Sequence, residues 1–319
     1  MLWVERQPDM RWAGEADDEG QGDRAAVVPV TVGADTQITD LSVNDHACLT
    51  FGETEELFDL TAAFIRDGLA GGLKVLWLTD SAPRRAATQL SRRGIAIESA
   101  LAEGQMTALA CEDYLLSAQA FAAGYAMSWL SEQVVACTDA GFPGLRVALD
   151  MSWALRPIAG VEQLPDFEDG VAAVLAETAA SVLCQYDRER FDPVTLASVA
   201  GRHNRSVAAA TYYQDAVLRI CRQYAPPGIR LAGEIDFHAE EPLALALAEA
   251  LRIDGDITIN MANLTFIDVS SMRMIVNLAR SLPMPRQVIL QCSPAIAAKF
   301  TLFGADRIRS VSLVTVDER

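Results

Sequence analysis

The sequence has few of the residues from which metal sites are usually built, and it arranges none of them in a local ligand motif. Its 319 residues include only three histidines, His46, His203 and His238, and no two lie at the spacing of zinc ligands. The six cysteines are scattered and form no C-x-x-C pair. They are expected to be buried free thiols, and neither a metal nor another cofactor is predicted.

Long apolar runs and an excess of positive charge are also missing. No stretch of about 18 or more consecutive apolar residues occurs, and the N-terminus has no basic start followed by an apolar segment. A cytoplasmic location without membrane contact is therefore expected. The 43 acidic residues outnumber the 26 basic ones and give a net charge of −17. This excess argues against nucleic acid as a partner, because phosphate binding requires Lys and Arg.

Hydrophobic residues, in contrast, are abundant and follow an α/β rhythm. They form 51% of the chain, whose length suits two domains. Residues 1–40, which are acidic and rich in small residues, are expected to be a disordered tail. Apolar runs at 46–51, 74–79 and 145–150 predict buried strands, with helical patterns between them. Such alternation predicts a parallel sheet covered by helices on both faces.

This first domain is predicted to span residues 41–205. Residues 206–227 are expected to be a helical linker, because 211–224 resembles a helix that Ala225-Pro-Pro-Gly228 interrupts. Beyond the interruption, residues 228–319 alternate predicted strands and helices over about ninety residues. The second domain is therefore predicted to be a smaller α/β domain.

Several spaced motifs mark this second domain. Gly233-Glu-Ile-Asp236 precedes a helix, and a strand ending in Phe266-Ile-Asp268 leads through Val269-Ser270 into the next helix. A later Phe303-Gly304-Ala-Asp306 turn precedes the last strand. This combination resembles the STAS domain of bacterial anti-sigma factor antagonists across the whole of 228–319.

The STAS resemblance implies how this domain functions. In that family, a serine or threonine at the Ser270 position is phosphorylated by the partner, a kinase-type anti-sigma factor, which binds the unmodified form. The resemblance thus implies a partner-binding site formed by Asp236, Asp268, Ser270, Ser271 and Met272. Ser270 lies at the predicted start of a helix, where unpaired backbone N–H groups favour an anion.

Two alternatives remain at this turn. Ser271 stands where many relatives have glycine, and it is therefore an alternative phosphorylation site. Ser270 could also act only as the N-cap of the helix, a role that serine commonly fills.

Motifs in the first domain indicate a second family. Asp45-His46-Ala-Cys48, Met151-Ser-Trp153 and Leu183-Cys184-Gln-Tyr186-Asp187, with His203 downstream, resemble the MEDS sensory domain over about residues 41–205. Asn204 follows His203 where family members often have proline. The resemblance implies a sensory role in a signalling protein and a fold similar to that of recombinase-type ATPases.

The position at which such ATPases carry their nucleotide-binding loop is acidic here. The segment Phe51-Gly-Glu-Thr-Glu-Glu-Leu57 has one glycine, no lysine and three acids, whereas a P-loop needs G-x-x-x-x-G-K-[ST]. Carboxylates at this position would repel a triphosphate. The domain is therefore expected to lack a P-loop and not to be an enzyme, although Leu145–Asp150 has the form of a Walker-B strand.

Ligands of open α/β sheets bind beyond the carboxyl ends of the strands. The candidate ligand pocket comprises His46, Phe51, Glu53, Trp153 and Tyr186. Structural alternatives exist, because a histidine beside a strand or a tryptophan at a strand end is often a core residue.

These patterns together predict a bacterial signalling regulator in which a sensory domain controls a STAS effector. Its partner is expected to be an anti-sigma factor or a serine kinase of that type, and an unidentified small molecule is the expected signal. The alternatives are a STAS scaffold that is never phosphorylated and an atypical nucleotide hydrolase.

Overall fold

The computed structural model describes residues 36–117 and 120–316. Most of the predicted N-terminal tail lies outside these residues. Its last part, 36–40, is not disordered, because Ile38 is buried in a short 3-10 turn and Thr36 N–H donates to the carbonyl of Ser206 (2.9 Å). Within the described residues, no helix is both long enough and apolar enough to cross a membrane.

The first domain is built on a six-stranded sheet and contains one further pair of short strands. The strands of the domain are β1 (His46–Phe51), β2 (Lys74–Thr79), β3 (Met106–Ala110), β4 (Leu116–Ser117), β5 (Ala120–Phe121), β6 (Leu145–Asp150), β7 (Ala180–Asp187) and β8 (Arg205–Val207). The sheet has the order β3-β2-β6-β7-β1-β8, and all its neighbouring pairs are parallel. Strands β4 and β5 form a separate antiparallel pair.

Helices cover both faces of this sheet. They are α1 (Thr54–Ala70), α2 (Pro83–Ser91), α3 (Ile97–Ala102), α4 (Cys111–Tyr114), α5 (Ala123–Asp139), α6 (Leu164–Ala176) and α7 (Pro193–Ala200). Successive residues of β1 point to opposite faces. Leu49 packs in one apolar cluster with Phe64 of α1, and Cys48 packs in another with Phe167 of α6. This burial on two faces explains the mostly apolar sequences of β1, β2 and β6, whose predicted bounds are confirmed.

The second domain has a mixed six-stranded sheet. Its strands are β9 (Thr211–Gln214), β10 (Leu218–Tyr224), β11 (Pro227–Ile235), β12 (Ile257–Ile267), β13 (Val288–Cys292) and β14 (Val311–Thr315), and its helices are α8 (Glu240–Ile253), α9 (Val269–Ser281) and α10 (Pro294–Leu302). The order is β14-β13-β12-β11-β10-β9. Strands β11 to β14 are parallel, and β9 and β10 are antiparallel additions. The predicted α/β class is confirmed for both domains.

Only one face of this second sheet is covered by its own helices. Ile220, Ile229 and Ile259 share an apolar cluster with buried side chains of α8, α9 and α10. The opposite face carries Arg219 and Arg230, whose side chains point towards the first domain. A sheet with one apolar and one polar buried face is thereby suited to dock against a polar helix surface.

The predicted helical linker at 206–227 is wrong. These residues complete β8 of the first sheet, form β9 and β10 of the second, and begin β11. Buried Leu218 and Ile220 alternate with Arg219, which is the period of a strand, and antiparallel pairing with β11 stabilises this conformation. The strand was not recognised because both of its faces are buried, so Cys221 and Tyr224 obscure the alternation.

Candidate functional site

The turn between β12 and α9 is the first candidate site. Asp268 N–H donates to the carbonyl of Ile235 (3.1 Å), which holds the turn at the carboxyl end of the sheet. Asp268 is the N-cap of α9, since its Oδ1 accepts a hydrogen bond from the Ser271 N–H (2.7 Å). Its Oδ2 accepts one from the Ser270 hydroxyl (3.0 Å). Burial alone would raise the pKa of Asp268, but these hydrogen bonds outweigh it and lower the pKa.

The two serines of this turn have different surroundings. Ser270 is half-buried and its hydroxyl donates to the half-buried cap residue Asp268, whereas Ser271 is 0% exposed. The alternative that Ser270 is the N-cap is wrong, because Asp268 fills that position. Met272 is also buried. Within the predicted partner-binding set, the side chains of Ser271 and Met272 are therefore buried, whereas Asp236, Asp268 and Ser270 are partly exposed.

Exposed apolar side chains surround the accessible part of the turn. Phe237, Phe266 and Val269 are 64%, 43% and 63% exposed. They lie at the same edge of the sheet, because Ile235 and Ile267 are register partners at the ends of β11 and β12. The half-exposed carboxylate of Asp236 lies at this edge too. Together these residues form a surface that combines apolar area with two carboxylates, here called the Ser270 surface.

A cavity in the first domain is the second candidate site. Its volume is ≈ 220 Å³, and it lies at the carboxyl ends of β2, β6 and β7, where Thr79, Asp150 and Gln185 line it. The remaining wall comes mainly from α1 and α2: Thr54, Leu57, Phe58, Thr61, Arg85, Ala86 and Gln89. The cavity therefore occupies the place where open α/β sheets bind their ligands.

None of the five residues predicted for a ligand pocket lines this cavity. Trp153 is core, with its ring 4.4 Å from that of Phe121 between centroids. Phe51 is buried, and Glu53 points to the second domain. The five side chains do not share one pocket, because His46 and Phe51 lie at opposite ends of β1, roughly 17 Å apart at ~3.3 Å per residue.

His46 and Tyr186 do meet, in a buried polar cluster on the α6 side of the sheet. His46 Nε2 lies 3.0 Å from Glu168 Oε2, and the Tyr186 hydroxyl donates to Glu168 Oε1. His203 Nε2 lies 3.3 Å from Glu168 Oε2, and Cys184 Sγ lies 3.5 Å from the same oxygen. Burial and the Glu168 carboxylate raise the pKa of the Cys184 thiol.

Sequence reasoning missed Glu168, and a signal for it was present. It follows Phe167 in α6 and shares the inward face with Leu164, Val171 and Leu175. A carboxylate within an apolar helical stripe has to be paired, because burying an isolated charge is very unfavourable. The long sequence distance between His46 and His203 also gave no indication that they are neighbours, although their ring centroids are 3.9 Å apart.

Helix α1 connects the cavity with the second domain. Glu56 is 0% exposed and accepts two hydrogen bonds from the Arg219 guanidinium of β10 (2.8 and 2.9 Å). Glu55 Oε2 accepts one from the Asn260 side chain of β12 (2.9 Å). Asp59 Oδ1 accepts hydrogen bonds from the backbone N–H groups of Tyr224 (2.8 Å) and Ala225 (2.7 Å).

The acids that replace a P-loop are therefore bound by cations of the chain itself. Glu53 contacts Arg230 (3.4 Å), and Glu56 contacts Arg188 (3.0 Å) in addition to Arg219. Burial alone would raise the pKa of Glu56, but the hydrogen bond and charge of Arg219, with the charges of Arg188 and Arg230, lower the pKa to about 2. The segment after β1 is thus a contact between domains, and its buried Glu56 is ionised at neutral pH.

Comparison with known proteins identifies both domains. The sequence profile of the MEDS family, described as the methanogen/methylotroph, DcmR sensory domain, matches residues 45–204, and that of the STAS domain matches residues 224–316. No curated protein matches the chain.

Solved structures that are similar to this chain include two archaeal proteins. A KaiC-like protein from Pyrococcus horikoshii OT3 has 12% sequence identity, covers 57% of this chain and 79% of its own, and has a TM-score of 0.42. The flagellar accessory protein FlaH from Methanocaldococcus jannaschii has 9% identity, covers 59% of this chain and 83% of its own, and has a TM-score of 0.43. The family matches are the stronger finding, and they agree with the two domains of the structure: the chain belongs to the MEDS family and carries a STAS domain C-terminal to its sensory domain.

Proposed function

We propose that the protein is a signalling regulator of the anti-sigma-factor-antagonist type. Its STAS domain binds an anti-sigma factor or a serine kinase of that type, and phosphorylation of Ser270 releases this partner. The observation that carries the proposal is the accessible Ser270 hydroxyl in the first turn of α9, next to exposed Phe266 and Val269. Exposed apolar area beside a modifiable hydroxyl suits a docking surface that a phosphate can block.

The electrostatics of the turn support a repulsive switch. A phosphate on Ser270 would add about two negative charges next to Asp268, whose Oδ2 lies 3.0 Å from the Ser270 hydroxyl. Asp236 adds another acidic group at the same sheet edge. The phosphorylated turn therefore holds water strongly, and burying it against a partner is unfavourable. The unmodified hydroxyl has no comparable desolvation penalty.

Helix α1 supports control of the STAS domain by the sensory domain. One face of α1 lines the ≈ 220 Å³ cavity through Thr54, Leu57 and Thr61. Its other face holds the STAS sheet through Glu56 and Asp59. A small molecule that binds the cavity and prefers one position of α1 would shift the STAS domain between two arrangements, which is the coupling that allosteric control requires.

The test is to incubate the full chain with ATP and a kinase-type anti-sigma factor from the same genome and to map phosphate by mass spectrometry. Wild type and Ser271→Ala are expected to gain one phosphate at Ser270. Ser270→Ala is expected to gain none. Phosphate that persists in Ser270→Ala would refute the assignment. A scaffold that is never modified predicts instead that Ser270→Asp binds the partner as tightly as wild type.

We also propose that the sensory domain does not hydrolyse nucleotides. The support is the engagement of Glu53, Glu55 and Glu56 by side chains of this chain at the place of a P-loop. Calorimetric titration of the full chain with magnesium-ATP is expected to give no binding heat. Saturable binding followed by phosphate release would establish the hydrolase alternative.

A further inference from the structure

The buried polar cluster under the first sheet is not used by the proposed function. It consists of His46 at the start of β1, Glu168 in α6, Cys184 in β7 and His203 after α7. We propose that these four side chains bind one zinc ion, which ties the segments of the sensory domain together. This proposal is independent of the Ser270 switch and of the partner.

Four of the six distances between donor atoms are close to those of a tetrahedral zinc site. Zinc lies ~2.1 Å from nitrogen or oxygen and ~2.3 Å from sulfur, so tetrahedral ligands are about 3.4 Å apart without sulfur and about 3.6 Å apart with it. Glu168 Oε2 lies 3.0 Å from His46 Nε2 and 3.3 Å from His203 Nε2. Cys184 Sγ lies 3.6 Å from His46 Nε2 and 3.5 Å from Glu168 Oε2. All four donors lie within 4.8 Å of one another.

The hydrogen bonds around His203 point to a cation between these donors. His203 Nδ1 lies 2.8 Å from the Val199 carbonyl, which can only accept, so Nδ1 carries the proton of the neutral ring. Nε2 then presents a lone pair to the Glu168 carboxylate, and within the described residues it has no hydrogen-bond partner. Two acceptors facing each other in a fully buried site are unfavourable unless a cation lies between them.

Protonation of His203 Nε2 is the competing explanation. It would bury an imidazolium ring whose centroid lies 3.9 Å from that of His46, with the Glu168 carboxylate as its counter-ion. Burying this additional charge is unfavourable in itself. A single divalent ion neutralises the carboxylate and a Cys184 thiolate without protonating either ring.

Neighbouring groups orient the ligands as they do in known metal sites. The Tyr186 hydroxyl donates to Glu168 Oε1, which leaves Oε2 directed at the cluster. The backbone N–H of His46 donates to the Asn204 side chain (2.9 Å), which places the start of β1 beside His203. The hydrogen bonds of Tyr186 to Glu168 and of His203 Nδ1 to the Val199 carbonyl are of the kind that fix ligand rotamers and raise metal affinity.

The ligand set favours zinc and a structural role. Thiolate and imidazole ligands disfavour magnesium and calcium, which prefer oxygen. Four protein ligands leave no open coordination position for a substrate, and closed sites of this kind stabilise folds. The four ligands come from segments far apart in sequence, so the ion would hold β1, α6, β7 and the segment after α7 together.

The first experiment measures metal in the untagged full chain, purified without chelators from cells grown with added zinc. Mass spectrometry of the metal is expected to find about one zinc ion per chain. Cys184→Ser and His203→Ala are expected to lose most of it. Cys48→Ser is the matched control, because Cys48 is buried opposite Cys184 on β1 but is not among the donors, and this variant is expected to keep its zinc.

A second experiment needs no variant and therefore does not depend on whether the variants fold. Chelator-treated wild type is titrated with zinc and with cobalt(II). Zinc is expected to raise Tm until one equivalent is bound, and cobalt is expected to give a thiolate charge-transfer band with tetrahedral visible absorption. Wild type that holds under about a tenth of an equivalent of zinc, with no change in Tm on zinc addition, would overturn the proposal. So would folded Cys184→Ser that keeps a full equivalent.

Discussion

The contact between Glu56 and Arg219 gives the sharpest prediction about how the two domains hold together. Glu56 is fully buried, and the Arg219 guanidinium donates two hydrogen bonds of 2.8 and 2.9 Å to its carboxylate. Glu56→Gln keeps the size and one acceptor but removes the main counter-ion of Arg219 and leaves only Glu53, at 4.0 Å. Removing one partner of a buried ion pair typically lowers the free energy of unfolding by ~3–5 kcal/mol.

The pKa of Glu56 gives a second value for the free energy that this ion pair contributes to folding. Its ordinary value of 4.5 falls to about 2 in the folded protein. At ~1.4 kcal/mol for each pKa unit, this difference corresponds to about 3–4 kcal/mol of stability, which lies within the range expected for the broken pair. Because the folded pKa is the lower one, this stability is fully present above about pH 5 and is lost as the pH falls from 4.5 towards 2.

The assay is urea denaturation of the full chain, followed by tryptophan fluorescence at several pH values. Glu56→Gln is expected to unfold ~3 kcal/mol more easily at pH 7, and its deficit relative to wild type is expected to shrink as the pH falls below about 5. Glu249→Gln is the matched control, because Glu249 pairs with Arg252 (2.7 Å) on the exposed surface of α8. That variant should unfold at nearly the same urea concentration as wild type, because exposed ion pairs contribute little to stability. If Glu56→Gln behaves like the control, the buried pair does not stabilise the interface and the reasoning fails.

Three further predictions concern single side chains. Burial raises the pKa of Asp59 from 3.8 to about 6, so wild type loses stability as the pH rises through this interval. The Tm of Asp59→Asn relative to that of wild type is therefore expected to increase between about pH 4 and pH 7, and a constant difference would contradict this. Gly233→Ala is expected to destabilise by at least ~2 kcal/mol in urea, because a Cβ would lie 1.9 Å from the Val217 carbonyl oxygen at φ +100°, whereas Gly255→Ala, with no atom within 4 Å, should be nearly neutral. Tyr186→Phe is expected to weaken zinc affinity by ~10–100-fold in competition with a chromophoric chelator, and unchanged affinity would show that its hydrogen bond to Glu168 does not orient the ligand.

Local pattern determined the fold class and several elements. Six-residue apolar runs predicted β1, β2 and β6 to the residue, because a strand buried on both faces has no polar face to interrupt it. The STAS motif around Asp268 and Ser270 also follows from sequence, since one strand end, one acidic cap and one helix start are adjacent in the chain. The same two-sided burial explains why β10 was not predicted as a strand. Its second face is covered by α1, which lies more than 140 residues earlier in the sequence.

The sites depend on contacts that no local pattern contains. Whether Ser270 or Ser271 is accessible depends on which face of α9 packs against its sheet, and Ser271 lies on the same buried side of the helix as Met272 and Ile275. Glu168 and His203 become neighbours of His46 only because β1, α6 and the segment after α7 pack on one face of the sheet. The sequence by itself determined which chemical groups are available. Tertiary packing decided which of them meet, because the free energy of a buried charge depends on partners brought from distant parts of the chain.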